Sequence, residues 1–218
     1  TPVSIARAVG EDVGNYTITP SAAADLSYSI SFVTSTFAIT QAALIVSANS
    51  GLSKIYGGIE PTLTYTLTGF VNSDNEASLD TGVTISRPVG ENVANYLVTT
   101  ANAADSNYSI SFVTSTFAIT QAALIVSANS GLSKIYGGIE PTLTYTLTGF
   151  VNSDNEASLD TGVTISRPVG ENVANYLVTP ANAADSNYSI SFVTSTFAIT
   201  QAGLTVTANA GQSKIYGA

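Results

Sequence analysis

Residues 41–122 recur as residues 121–202 with a single exception, Thr100 against Pro180. The period is 80 residues, read from Lys54 and Lys134 in the two copies of Ser-Lys-Ile-Tyr-Gly-Gly. Near-identical units of domain size make an array, in which each unit builds its own core and the next follows in line. What one unit does is therefore done several times along a chain, which favours length, stiffness and multivalency over a single active site. Thr1 aligns with Thr81 and Thr161, and residues 201–218 repeat residues 121–138 with a few changes. The expected units are a partial repeat over 1–42, complete repeats over 43–122 and 123–202, and the start of another over 203–218. The chain reads as a window on a longer protein, with no signal peptide, tag or membrane segment in view.

A unit of this size is small for an independent domain, although many such domains fold alone. Cysteine is absent, so no disulfide supplements the core. The formal charge of −9, from 15 acidic and 6 basic residues, lacks the basic footprint of a nucleic-acid binder. It equally lacks a polybasic face for anionic lipid. The acidity is read as solubility and repulsion between copies. Only 10% of residues are charged, and Ser, Thr, Asn and Gly dominate the polar surface, as in many secreted β-proteins.

Within a unit, alternation of period two prevails, which specifies half-buried strands. Leu44, Val46 and Ala48 alternate with Ile45, Ser47 and Asn49. Ile45 and Ser47 become Thr205 and Thr207 in the last copy, so Leu44, Val46 and Ala48 are assigned to the core. Residues 50–61, with three glycines and a proline, read as a loop. Thr62–Thr68 places Leu63, Tyr65 and Leu67 on one face and four threonines on the other. Ser73 with Glu76 reads as a capping box before a short helical turn that ends ahead of Gly82. Strands are expected over 83–87, stopped by Pro88, and over 93–99 with Tyr96 and Val98 inward. Gly90-Glu91-Asn92 is a turn. Tyr108, Ile110 and Phe112 alternate with serines, and a last strand around Phe117 and Ile119 runs through Gln121 into the next unit. With no Gly/Ser linker at this boundary, a stiff rod of about six strands per unit is expected. The fold class is mainly β: an array of β-sandwich-like domains, or alternatively β-grasp-like ones if residues 74–80 pack across a sheet face.

These stretches resemble the MBG repeats, of YGX or YDG type, in large bacterial surface proteins. The resemblance rests on Lys54-Ile55-Tyr56-Gly57, residues 60–66, Gly69-Phe70-Val71, Arg87 followed by Gly90-Glu91-Asn92-Val93 and Tyr96, Asn107-Tyr108 with Phe112, and Phe117-Ala118-Ile119-Thr120. It covers essentially the whole chain. Gly58 stands where the family often has Asp, and Ala94 and Ala174 where it often has Gly, as Gly14 does in the first copy. The resemblance implies an extracellular, adhesin-type module, suggested to bind sugars in some members. It supplies no catalytic residue.

Enzymatic constellations find little material. Without His or Cys, no Ser-His-Asp or Cys-His site and no zinc site of those ligands can be built. Asp74, Glu76 and Asp80 are the dense acidic cluster, but they share one polar loop without aromatics, unlike a glycosidase pair. No catalytic, cofactor or metal residues are assigned. Calcium is the one ion considered, because Asn72, Asp74, Glu76 and Asp80 bring hard oxygens close in sequence; capping is the plainer reading. The threonine row 62, 64, 66 and 68 could offer hydroxyls to ice or sugar, although threonine also suits an exposed strand. Tyr56 in its glycine-bounded loop could stack on a sugar ring. Lys54, placed in the same loop, is a poor candidate for an isopeptide bond, which needs burial beside a carboxylate. Asn15-Tyr16-Thr17 and Asn107-Tyr108-Ser109 have the form of glycosylation sequons, read as coincidental in a bacterial protein.

The sequence therefore points to a non-enzymatic stalk or fibre segment of a long secreted bacterial surface adhesin. A multivalent weak carbohydrate- or surface-binding module is the alternative. Expected partners are neighbouring repeats, cell-surface or extracellular polysaccharide, and another copy meeting head to tail through 203–218 and 1–42.

Overall fold

The computed structural model describes residues 1–217. They form two compact units, one over residues 1–120 and one that begins at Gln121. The first unit opens with Ser4–Arg7 (β1), Gly14–Ser21 (β2) and Ser35–Ile39 (β3), an antiparallel sheet in that order. A complete repeat follows: Ala42–Ala48 (β4), Ser53–Ile55 (β5), Tyr65–Thr68 (β6), Thr84–Ser86 (β7), Ala94–Ala101 (β8), Tyr108–Val113 (β9) and Ser115–Thr120 (β10). The second unit repeats this set as Ala122–Ala128 (β11), Ser133–Ile135 (β12), Tyr145–Thr148 (β13), Thr164–Ser166 (β14), Ala174–Ala181 (β15), Tyr188–Val193 (β16) and Ser195–Thr200 (β17).

Each complete repeat is a pair of small sheets. In the first, β6-β4-β9 forms one sheet and β5-β10-β8-β7 the other. The alternation of β4 places Leu44, Val46 and Ala48 inward, with Leu44 and Val46 wholly buried, while Ile45 is 41% exposed. Val98 of β8 and Phe117 and Ile119 of β10 are buried as well. In the second repeat Ala128, from one sheet, packs with Val178, Phe197 and Ile199, from the other. The core thus lies between sheets, as in a sandwich. Residues 76–78 form one turn of 3-10 helix with no buried residue, so nothing helical crosses a sheet face and the β-grasp arrangement is not found.

The first and last segments of the repeat run side by side. β4 pairs parallel with β9 from Ala42↔Tyr108 to Ser47↔Val113. β5 pairs parallel with β10 from Ser53↔Ala118 to Ile55↔Thr120. Both segments pass from one sheet into the other, and the later one does so with only Thr114 between its strands. Strand β5 corrects the expected loop over 50–61 and makes seven strands rather than about six. Three residues between glycines carry no readable alternation; β5 exists because β10 offers it an edge.

The partial repeat supplies an internal control. Residues 28–40 are identical to residues 108–120. Residues 108–113 form β9, whereas residues 28–33, with no parallel partner, form no strand. Phe37 is 45% exposed where Phe117 is fully buried. Leu204 and Val206, the counterparts of Leu44 and Val46, are 89% and 88% exposed and lie in no strand. Each of these strands therefore depends on its partner more than on its own propensity.

The helical turn is capped two residues later than expected. Asn75, not Ser73, is the N-cap: its side chain accepts from Ala77 N–H at 2.9 Å and its N–H donates to Ser78 Oγ at 3.2 Å. Ser73 has φ +70°, which no helix start uses, and Asp74 N–H donates to Val71 O in the preceding turn.

The one difference between the repeats lies in the core. Pro180 is wholly buried and faces Ile165 across β14–β15, as Pro20 faces Ile5 across β1–β2. Thr100 holds the same place opposite Ile85 and donates from Oγ1 to Val46 O at 3.3 Å. The same backbone accommodates proline in the other copies. Thr100→Pro should therefore stabilise the first complete repeat by roughly 0.5 kcal/mol through the unfolded chain, less what the long hydroxyl bond contributes. Pro180→Thr should act oppositely on the second. Calorimetry of the full chain reads both as shifts in melting midpoint.

Candidate functional site

Arg87 directly follows strand β7 and precedes Pro88, so the chain turns there with the guanidinium facing the repeat. The guanidinium lies 4.8 Å from the centroids of both Tyr96 and Phe117. Two aromatic neighbours and burial strengthen this cation–π contact. Nε and Nη2 grip the Glu60 carboxylate at 2.6 and 2.9 Å, a bidentate geometry that lysine cannot reproduce. Nη1 donates to Pro88 O and Gly90 O at 2.9 and 3.0 Å, closing the turn. Gly90 is needed there because a Cβ would stand 2.6 Å from the Tyr96 ring.

Lys54 completes the network. Its Nζ sits 2.6 Å from Glu91 and 2.9 Å from Glu60. The cations are buried and the carboxylates half-exposed, with side-chain exposures of 5% for Lys54 and 40% for Glu60. Hydrogen bonding to Arg87, and secondarily to Lys54, holds the Glu60 carboxyl down at about 2, against an ordinary 4.5. Donating hydrogen bonds to Glu91 and Glu60 raises the Lys54 amine, so it stays charged and is no nucleophile. The second repeat rebuilds the set from Lys134, Glu140, Arg167 and Glu171, with Arg167 between Tyr176 and Phe197. In the partial repeat Arg7 stacks on Tyr16 and Phe37 and pairs with Glu11.

A second assembly joins the partial repeat to the complete one within the first unit. β3 continues into β4 through Thr40 and Gln41 alone. Gln41 Nε2 donates to Ser106 O and Tyr108 O, both at 3.2 Å. The Asn107 side chain accepts from Val13 N–H at 2.8 Å and donates to Asp12 Oδ1 at 3.2 Å. Asn107 O accepts from Ala42 N–H at 3.0 Å. A cleft of about 370 Å³ lies here, lined by Asp12, Val13, Val71, Asp74, Asn107 and Tyr108 among others.

The candidates from sequence are dispersed. Asp74 accepts from Tyr108 Oη at 2.8 Å, Glu76 from the Tyr65 hydroxyl, and Asp80 from Ser106 N–H at 3.0 Å. The three carboxylates thus accept from three different partners. Among the described residues no three acidic, His or Cys side chains converge as for a metal. Thr64 and Thr66 bond to the Asn49 side chain, at 3.0 and 2.7 Å, which interrupts the hydroxyl row. Tyr56 is only 7% exposed and offers no ring face, whereas Tyr136 is 54% exposed. Lys54 lies on β5 rather than in a loop, beside two glutamates and not an asparagine. The Asn107 side chain of the sequon is committed to Asp12 and Val13.

Three stretches match the model of the MBG domain, YGX type: residues 1–38, 44–118 and 124–198. The chain belongs to the MBG domain family. Such repeats are typical of adhesin-like surface proteins, and the family is a structural domain family, not a known enzyme family. No curated protein matches the chain. Among the described residues of this MBG array no helix is long and apolar enough to cross a membrane.

The Arg87–Glu60–Lys54 network escaped the sequence reading. Its signal was present as Arg-x-x-Gly-Glu recurring at 7–11, 87–91 and 167–171. Glu60, 27 residues from Arg87, carries no local hint of the pair. Arg87→Met should destabilise the first complete repeat by roughly 2–3 kcal/mol, because Glu60 loses its bidentate partner and keeps only Lys54; chemical denaturation measures it. The pH response has a definite sign. Glu60 and Glu140 both titrate at about 2 when folded, against 4.5 ordinarily. Their stabilisation is complete above about pH 4.5 and lost as pH falls toward 2. The melting midpoint of the native chain should fall across that window, and less steeply in Glu60→Gln with Glu140→Gln.

Proposed function

We propose that this MBG array is a stalk segment of a long bacterial surface adhesin, which sets how far a functional tip stands from the cell. The observation that carries this reading is the joint between partial and complete repeat. One strand leads into the next across two residues, and the Asn107 and Gln41 side chains bind across or beside the boundary. A joint with backbone and side-chain bonds has fewer conformations than a Gly/Ser coil. Reach is then copy number times the advance per repeat. Near-identical copies let recombination change that number while leaving every joint chemically the same. An extracellular setting suits an exposed surface poor in charge and without cysteine or methionine.

Small-angle scattering on arrays of two, four and eight repeats tests the proposal. The maximum dimension is expected to grow in proportion to copy number. Growth near the square root of copy number, as for flexibly linked beads, counts against a stalk. Asn107→Ala in the present chain should broaden the distance distribution while leaving far-ultraviolet circular dichroism unchanged. A glycan array probed with two-repeat and eight-repeat chains addresses carbohydrate binding: signal that rises with copy number would favour the multivalent binder.

A further inference from the structure

We propose that the parallel seam between the first and last segments of each repeat is a tension clamp, built so that force along the chain shears its hydrogen bonds together. The proposal rests on the stalk reading, in which pull along the chain is the natural load.

The geometry follows from the pairing. Chain direction carries the repeat in at Ala42 and out at Thr120. Ala42 lies opposite Tyr108, at the start of both seam segments, and Thr120 lies opposite Ile55, at the end of both. Because the segments are parallel, the entry and exit points are at opposite ends of the seam. Pulling them apart drives 42–55 one way and 108–120 the other, along their own axes. Inter-strand hydrogen bonds then meet the force sideways and share it. In a two-strand hairpin the ends leave from the same side, and the bonds open one after another.

The seam is longer than either sheet. Six register pairs lie in one sheet and three in the other. Ala118 N–H donates to Leu52 O at 3.2 Å between the two sets, and Ser115 Oγ donates to Asn49 O at 3.0 Å at the crossing. Both ends are braced. At the entry, Ala42 N–H and the Gln41 side chain hold the backbone of residues 106–108. At the exit, Tyr56 N–H donates to Thr120 O at 2.8 Å, and Thr120 Oγ1 donates to Lys54 O at 3.3 Å. Lys54 is itself tied to Glu60 and Glu91, which anchors the far end of the first segment to the salt-bridged turn. The second repeat has the same seam, from Ala122↔Tyr188 to Ser127↔Val193 and from Ser133↔Ala198 to Ile135↔Thr200, with Gln121 on Ser186 O and Tyr188 O.

Identical sequence shows what the seam contributes. Residues 28–33, which have no partner segment, do not form the strand that residues 108–113 form. Separating the seam therefore removes the pairing on which β9 depends, while β3, the copy of β10, keeps its antiparallel neighbour β2.

Single-molecule force spectroscopy on the full chain tests the clamp, with handles at its two ends. Two unfolding events are expected, one per complete repeat, each lengthening the chain by roughly 25 nm. The chain has no cysteine, so attachment points can be introduced at will. Ser50→Cys with Thr114→Cys takes two exposed positions on either side of the seam at the same height, and pulls across it. Ser130→Cys with Thr194→Cys repeats the comparison in the second repeat, and melting of each variant verifies its fold. The end-to-end force is expected to exceed the across-seam force several-fold. Equal forces in the two directions overturn the clamp but leave the repeat a spacer. Flexible-bead scattering would instead overturn the spacer, whatever the forces.

Discussion

Every complete repeat depends on pairing its first segment with its last. β4 and β9 are 66 residues apart in register and parallel, so nothing between them can be a short hairpin. This pairing closes both sheets at once, because the two segments cross from one sheet to the other in company. Leu44, Val46, Phe117 and Ile119 are buried as a consequence, since all four sit on seam strands. The isolated copies of these strands at 28–33 and 204–208 have the same residues or close equivalents and none of the burial.

Electrostatics completes what the small core leaves open. A domain of this size buries little apolar surface. Here Arg87 serves as a core residue: it fills the space between Tyr96 and Phe117 and makes four hydrogen bonds to Glu60 and the turn carbonyls. Burying the cations while leaving the carboxylates partly in water limits the desolvation cost. The same arrangement ties three distant points of the chain, β5, the loop at Glu60 and the end of β7. An acidic, sparsely charged sequence thus gives Lys54, Arg87, Lys134 and Arg167 several partners each.

Repetition turns these local solutions into a property of the array. The residue that ends one repeat is almost the residue that begins the next, so a seam and a joint share Gln41 and residues 106–108. The bonds within a repeat and those to its neighbour thus draw on the same stretch of backbone.

Much of the fold was legible in sequence. Alternation placed Leu44, Val46 and Ala48 inward, and Pro88 ended its strand, because side-chain period and backbone restriction are local physics. The family resemblance was legible for the same reason, as an ordered set of short motifs. Pairing was not. β5 has too few residues for a pattern. The cap moved from Ser73 to Asn75 because the preceding turn places Ser73 at positive φ, and Tyr56 lost its exposed ring face to burial. Glu60 gave no sign of Arg87, since a charge does not name its partner across a long separation. By itself the sequence determined the period, the strand-forming stretches and the absence of His and Cys chemistry. Tertiary structure alone decided which strands are neighbours and which way they run, because hydrogen bonds between strands join residues that share space and not sequence.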